Sequence, residues 1–358
     1  MKRLKVGIIG QGRSGRNIHA HFVSKLPELY EIAAVSDPME ERRAKAIADF
    51  GCEAFADYRE MFARKDLDLI VNATPSHMHV PVSLEILENG FHVLCEKPLA
   101  RRVSDVDNLI EASKKSGKLL AVYQQSRYSP VFEKIREIID SGIIGRVVQA
   151  NISYNNFARR WDWQTLQSKN GGNLLNTGPH PVDQALQFYG SGIMPNVTCI
   201  MDNANSFGDA EDYVKLILHG NGRPTVDVEI SSCCVYPEGY YNIQGTNGGI
   251  KGTLTQLEWK YFKPEEAPQH EVSDAPLSKE DGTPTYCSEE LKWYEDSWEL
   301  DQDKGSFFDQ MGEKYYKMLY AAIAEGAPLE ITPEEVRTQV AVMEESFKQN
   351  PKFSNHTF

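Results

Sequence analysis

The sequence predicts an α/β protein of two domains, a doubly wound parallel sheet followed by an α+β domain built on a mostly antiparallel sheet. Three observations predict it. A glycine cluster, GQGRSG at 10–15, directly follows an apolar strand. Strand-like and helix-like stretches then alternate up to about residue 125, as in a parallel sheet with crossover helices. Beyond residue 140 strand-like stretches follow one another without helices between several of them, and such strands pair antiparallel. The boundary is placed at 125/126, giving a dinucleotide domain over 1–125 and a substrate and assembly domain over 126–358.

The first element, Val6 to Ile9, is an apolar strand, and Gly10, Gly12 and Gly15 stand after it at GxGxxG spacing. Such spacing supplies a tight turn at Gly10, close approach of the backbone to a pyrophosphate at Gly12, and close helix-to-strand packing at Gly15. The phosphates then lie at a helix N-terminus, with Gln11, Arg13 and Ser14 completing the loop. A second apolar strand, EIAAVSD, ends at Asp37, 22 residues after Gly15, where a carboxylate can accept hydrogen bonds from an adenosine ribose diol. Asp37 would repel a 2′-phosphate, which favours NAD, while Arg42 and Arg43 follow closely enough to leave NADP open.

Alternation continues with a helix near Pro38 to Phe50, a strand Leu67 to Ala73, a helix Pro81 to Asn89 and a strand Phe91 to Cys95. A helix Val103 to Ser116 and a strand Lys118 to Tyr123 complete the domain. Ligands of such sheets bind beyond the carboxyl ends of the strands. Three segments are thereby placed around one cleft: Thr74-Pro75-Ser76-His77, Glu96-Lys97-Pro98 and Gln124-Gln125. Lys97 stands where the reactive ring of a cofactor would lie, able to donate to a carbonyl oxygen or, deprotonated, to accept a proton from an alcohol. In isolation the same lysine could simply pair with Glu96 at the surface.

From Ser129 the pattern changes. SPVFEKIREIIDSGIIG reads as an amphipathic helix closed by glycine, and VVQANISYN, VTCIMD, YVKLILH, TVDVEIS and YNIQGTNG read as strands. Between the first two strands lies an insertion in which Asn176, His180 and Asp183 recur at four- and three-residue spacing. A helix starting near Pro179 brings His180 and Asp183 close to one face. Gly171, Gly172 and Gly178 allow close backbone approach to a ligand.

Together GQGRSG, ATPSHMHVP, EKP and GGNLLNTGPHPVD resemble the Gfo/Idh/MocA family of NAD(P)-dependent sugar and polyol dehydrogenases. The resemblance runs from the first strand to at least Asp183, and the later strands are compatible with the family's second domain. It implies a Rossmann domain followed by a large open-sheet domain whose sheet often forms oligomer contacts, here a homodimer or homotetramer. It also implies that Lys97 and His180 form the proton-transfer pair, that Asp183 contacts or orients the substrate, and that Thr74, Pro75, His77, Glu96, Lys97 and Gln125 lie on the cofactor side. Many catalytic members carry aspartate four residues before the histidine, where this chain has Asn176. An amide can orient a hydroxyl or His180 but cannot take a proton, which shifts the acid–base burden to Lys97.

Just before this motif, Arg159, Arg160, Trp161 and Trp163 could line a sugar pocket, with indoles stacking on a pyranose and arginines binding hydroxyls or an anionic group. The two arginines could equally make surface ion pairs. The histidine pairs His19/His21 and His77/His79 have no nearby third ligand and no metal is expected. The stretch 263–286 is acidic, proline-bearing and without period, and reads as a long excursion. Phe307 to Ala324 is an amphipathic helix, and a last helix starts at Thr332 with Glu335 as its reciprocal capping partner.

Composition excludes several function classes. With 358 residues, 41% hydrophobic and a net charge of −13, the chain has a substantial core and a surface that repels nucleic acid and anionic lipid. Six cysteines without CxxC or regular spacing are expected to be reduced thiols, and the apolar N-terminal run is cut by glycines, so a cytoplasmic protein is expected. The function that follows is hydride transfer between nicotinamide and a secondary alcohol or carbonyl of a sugar, cyclitol or polyol. The alternatives are an NAD-dependent glycosidase and a non-catalytic NAD-binding sensor.

Overall fold

The apolar runs of the first 125 residues form a six-stranded sheet in the computed structural model, which describes residues 2–354. Its strands are β1 Leu4–Ile9, β2 Tyr30–Ser36, β3 Glu53–Phe55, β4 Leu69–Asn72, β5 His92–Cys95 and β6 Leu120–Val122. All pair in parallel in the order β3-β2-β1-β4-β5-β6, so the topological switch lies between β1 and β4. Helices cover both faces, so Val6, Ile8, Leu69, Val71, Val93 and Leu94 are completely buried. Their β-branched and leucine side chains need that burial, each contributing roughly 1.5–3 kcal/mol. The crossover helices end where the sequence allows a left-handed residue: Glu40–Phe50 stops at Gly51 (φ 64°) and Val103–Ser116 at Gly117 (φ 66°).

The second sheet has eight strands: β7 Val147–Asn155, β8 Asn196–Asp202, β9 Tyr213–His219, β10 Thr225–Ser231, β11 Tyr241–Gly245, β12 Gly248–Gly252, β13 Gln256–Phe262 and β14 Trp293–Glu299. The order is β14-β13-β12-β11-β7-β10-β9-β8. Every pair is antiparallel except β7 with β10. That exception arises because β8, β9 and β10 run as a meander that returns beside β7. The helix Pro179–Tyr189 packs beneath β7 and β10, with Val182, Ala185 and Leu186 buried.

The C-terminal helices then return to the first sheet. In Phe307–Tyr320, Gly312 lies against the ring of Phe22, where any side chain would collide. The Tyr315 hydroxyl donates to the Val122 carbonyl at 2.6 Å, and that of Tyr30 donates to the Tyr316 carbonyl at 2.7 Å. The helix Pro333–Gln349, which starts at the expected Thr332/Glu335 capping box, bonds the first domain through Arg337 to Asp107 and through the Val103 amide to Glu344. The span 126–358 thus supplies the second sheet and also part of the cover of the first.

Candidate active site

The glycine loop leaves the end of β1 with Gly10 at φ +90°, its amide donating to the Ser36 carbonyl at 2.7 Å. A side chain at Gly15 would strike the Gly10 carbonyl, so helix and strand approach as the motif requires. At Gly12 the nearest atom to an added Cβ would be a guanidinium nitrogen of Arg42 at 3.9 Å, which leaves the backbone open to a phosphate group. Asp37 is buried at the end of β2; its Oδ2 accepts from the Gln11 amide at 2.8 Å and its Oδ1 from the Met39 amide at 2.9 Å. Arg42 reaches Asp37 Oδ2 at 3.3 Å. From here a cleft of about 500 Å³ runs past Thr74 and Lys97 to Arg160, Trp163, Gln164 and Asn176. A cleft that opens at the switch point, with a bare glycine turn at one end and a pinned carboxylate beside it, fits a dinucleotide.

Lys97 enters this cleft from the end of β5. Its Nζ donates to the backbone carbonyl of Asn176 at 2.8 Å, and its own amide donates to Glu96 Oε2 at 3.1 Å. Burial pushes the ammonium pKa down, Glu96 pulls it up, and Arg13 and Arg160 push it down again. Glu96 is itself buried: His19 Nε2 lies 3.1 Å from its Oε1, while His19 Nδ1 lies 2.7 Å from the Tyr316 hydroxyl. Burial alone would raise the Glu96 pKa, but His19, Lys97 and His79 outweigh it and hold the carboxyl at about 2. The carboxylate is therefore a fixed negative charge behind the lysine.

His79 ties two strand ends together. Its Nδ1 lies 2.7 Å from the Pro98 carbonyl and its Nε2 2.9 Å from the Thr74 carbonyl. Asn72 completes the turn, accepting from the Thr74 hydroxyl at 2.7 Å and donating to the His79 carbonyl and Ser83 hydroxyl, both at 3.0 Å.

From the second domain, the helical turn Asn173–Asn176 presents Asn176 to the cleft, with Asn176 Oδ1 accepting from Gln164 Nε2 at 3.1 Å. His180 opens the next helix, its Nδ1 3.1 Å from the Ser126 hydroxyl. Burial, followed by the charge of Lys97, pushes its pKa down to about 3, so the ring is neutral.

Nine of the expected cofactor residues line the cleft: Gly10, Gly12, Arg13, Ser14, Asp37, Thr74, Pro75, Glu96 and Lys97. Gln11, Gly15, His77 and Gln125 do not. Gly15 is packed against β1, and Gln11 contributes its backbone amide to Asp37. His77 is turned toward the second domain, where burial and then Lys169 lower its pKa; His79 takes the cleft position instead. On the substrate side Arg160 and Trp163 line the cleft and Arg159 does not, because its guanidinium lies over the Phe207 ring, 4.7 Å from the centroid. The Asp183 carboxylate is buried and accepts from Arg127 at 3.0 and 2.5 Å, and Arg127 in turn donates to Glu335 at 2.8 Å, which joins the Asp183 helix to the last helix. Met39, Tyr58, Asp162 and Gln164 line the cleft without having been singled out in the sequence, and Arg42, named there for its place five residues after Asp37, lines it too. Among the described residues no three His, Cys, Asp or Glu side chains could hold a metal ion.

Fold and cleft together define a class: proteins that bind a dinucleotide across the switch point of a doubly wound sheet. Residues 4–124 match the family model described as the oxidoreductase family with an NAD-binding Rossmann fold, and residues 132–251 match the GFO/IDH/MocA C-terminal domain. The chain belongs to the Gfo/Idh/MocA oxidoreductase family, and its first domain is the family's NAD-binding Rossmann fold. It is 29% identical over 227 residues to scyllo-inositol 2-dehydrogenase (NADP(+)) IolW of Bacillus subtilis, covering 61% of this chain and 62% of the relative. It is 26% identical to the 2,7-anhydro-N-acetylneuraminate hydratase of Mediterraneibacter gnavus, covering 70% of this chain and 67% of the relative. In fold it is similar to the WlbA dehydrogenase of Bordetella pertussis, crystallised with NADH and UDP-GlcNAcA, with a TM-score of 0.78 at 20% identity over 98% of this chain and 96% of that one.

Proposed function

We propose that this oxidoreductase moves a hydride between NAD and a secondary alcohol or carbonyl of a sugar, cyclitol or related polyol. The observation that carries the reading is Lys97: a half-buried lysine at a strand end on the cleft, its pKa lowered by desolvation, its ammonium held by one backbone carbonyl. NAD, when bound, supplies the hydride acceptor at its nicotinamide. The chain's own work is to hold the alcohol and take its proton. Lowering the Lys97 pKa enlarges the neutral fraction that can accept that proton near neutrality. His180, neutral with a pKa of about 3, acts as a hydrogen-bonding partner of the substrate oxygen rather than as a stored charge.

The substrate class is supported by a chamber of about 130 Å³ lined by Tyr154, Asn155, Asn156, Arg160, Asn173, Thr177, Ser231 and Tyr240, which shares Arg160 with the cofactor cleft. Amides, hydroxyls and tyrosines of this kind suit a polyhydroxylated ring. Asn155 Oδ1 is buried there with no protein partner, which fits a ligand hydroxyl as donor. Arg160 is already bonded to Asp162 at 2.5 Å and to Gln164, so an uncharged substrate is favoured over an anionic one. Substitution K97M with a polyol panel tests the assignment: reduced nicotinamide should form with wild type and fail to form with the variant.

A second reading has one observation in its favour. A relative carries the name of a hydratase, a reaction with no net oxidation, so the same lysine could serve a cycle in which NAD is reduced and reoxidised within one turnover. Retained NAD and no net reduction with an anhydro-sugar or glycoside would favour it. We further infer that a second copy of the chain covers the outer face of the eight-stranded sheet. A groove of about 790 Å³ lined by Asn242, Gln244, Lys251, Lys260 and Trp293 lies on that sheet without any residue of the cofactor cleft. The unpaired thiols support a reducing compartment such as the cytoplasm; no helix among the described residues is long and apolar enough to cross a membrane.

A further inference from the structure

Behind the motif turn lies a buried acid that the reaction chemistry does not use. Glu211 is 1% exposed. Its Oε1 accepts from the Leu174 amide at 2.9 Å, and its backbone carbonyl accepts from the Asn173 amide at 2.9 Å. Both bonds anchor the start of the turn Asn173–Asn176, and the far end of that turn is the carbonyl that holds the Lys97 ammonium at 2.8 Å. Glycine at 172, with φ +105°, is what lets the carboxyl come this close, because any Cβ there would collide with both of its oxygens. The second oxygen, Oε2, is buried with no protein partner and faces a small polar cavity whose walls include Gln164, Asn176 and Arg160.

We propose that Glu211 is a positioning residue for Lys97, acting through the Asn173–Asn176 turn to set the carbonyl that the ammonium leans on. This deepens the proposed function and rests on Lys97 being its proton-transfer group. Removing the Glu211 carboxyl frees the Leu174 backbone amide at the start of the turn, and the Asn176 carbonyl drifts from Lys97. An ammonium that loses its acceptor has a lower pKa still.

The charged surroundings of Glu211 decide its own proton. Burial raises its pKa to about 7, the Leu174 amide and Arg101 oppose that, and Asp212 adds to it. The Cys199 thiol lies close enough to be raised further by the same charge, and Arg160 shares the cavity. A carboxyl whose folded pKa lies above its free value contributes stability that is complete below about pH 4.5 and is lost as pH rises through about 7.

Competitive acylation of Lys97 in the folded, NAD-free protein, read by mass spectrometry across pH, measures the lysine without a substrate. Glu211→Gln keeps an oxygen for the Leu174 amide and should keep the wild-type labelling midpoint. It should also lose the decline in melting temperature between about pH 4.5 and 7. Glu211→Ala should lower the midpoint by about one pH unit, as expected when a charged hydrogen bond is lost. Gly172→Ala, which displaces the carboxyl without removing it, should lower it in the same direction. An unchanged midpoint in folded Glu211→Ala or Gly172→Ala, or an equal drop in Glu211→Gln, would overturn the proposal. Failure of the underlying reading shows separately, as undiminished turnover in K97M.

Discussion

Lys97 Nζ and the backbone carbonyl of Asn176 lie 2.8 Å apart, joining the end of β5 in the first sheet to a helical turn of the second domain. The side chain of Asn176 lies on the same cleft but carries no charge, so Glu96 is the acidic group that raises the lysine pKa. Asn176→Asp would add a second. A nearby carboxylate stabilises the ammonium, so the lysine must be taken to higher pH before it can accept a proton. The acid limb of kcat/KM for alcohol oxidation should move to higher pH by about one unit. A limb that stays in place would show that Lys97 does not set it.

The Asp37–Arg42 pair sets cofactor choice. Asp37→Asn keeps an oxygen for the Gln11 or Met39 amide, removes the charge that repels a 2′-phosphate and frees the Arg42 guanidinium. The ratio of kcat/KM for NADP to that for NAD should rise by at least about tenfold, given that charges at contact distance interact by several kcal/mol. Fluorescence titration with the two reduced cofactors checks the binding part.

Arg127 and Asp183 form a buried pair with side chains only 8% and 2% exposed, and Glu335 joins them from the last helix. Asp183→Ala leaves a buried guanidinium with one carboxylate partner instead of two. It should cost about 3 kcal/mol in denaturant unfolding, while turnover measured well below the melting temperature falls much less than in K97M. Loss of turnover without loss of stability would return Asp183 to the substrate.

Glu96 makes stability sensitive to acid. The Glu96 pKa in the fold is about 2 against a free value of 4.5, so its contribution is present above about pH 4.5 and lost as pH falls through about 2. That amounts to about 3 kcal/mol. Glu96→Gln should flatten the acid side of the stability profile by a similar amount, measured by chemical denaturation at stepped pH.

The strands and glycine turn of the first domain were legible because each rests on local signals: apolar runs, GxGxxG spacing and a carboxylate at the end of β2. Lys97 was legible because a rule of topology assigns strand ends to the cleft, and Asn176 because it stands four residues before His180 in the glycine-rich motif. What the sequence hid depends on distant partners. The bond of Asp183 to Arg127, 56 positions earlier in the chain, has no local signal. His77 and His79 differ by two positions, and only the packing of β4 against β5 decides that His79 sits between the Thr74 and Pro98 carbonyls. The strand β3 is three residues long, too short for a periodic signal, and three glycines break up β12. In β13 and β14 the charges that obscured the alternation pair across strands, as Lys260 does with Glu295.

The most direct test of the account follows reduced nicotinamide absorbance for wild type and Lys97→Met with NAD and a panel of cyclitols, aldoses and other uncharged polyols. NAD binding is measured separately in both proteins. The account predicts polyol-dependent reduction by wild type, a loss of at least about a hundredfold in the variant, and NAD affinity largely unchanged. Equal turnover in the two proteins would contradict it.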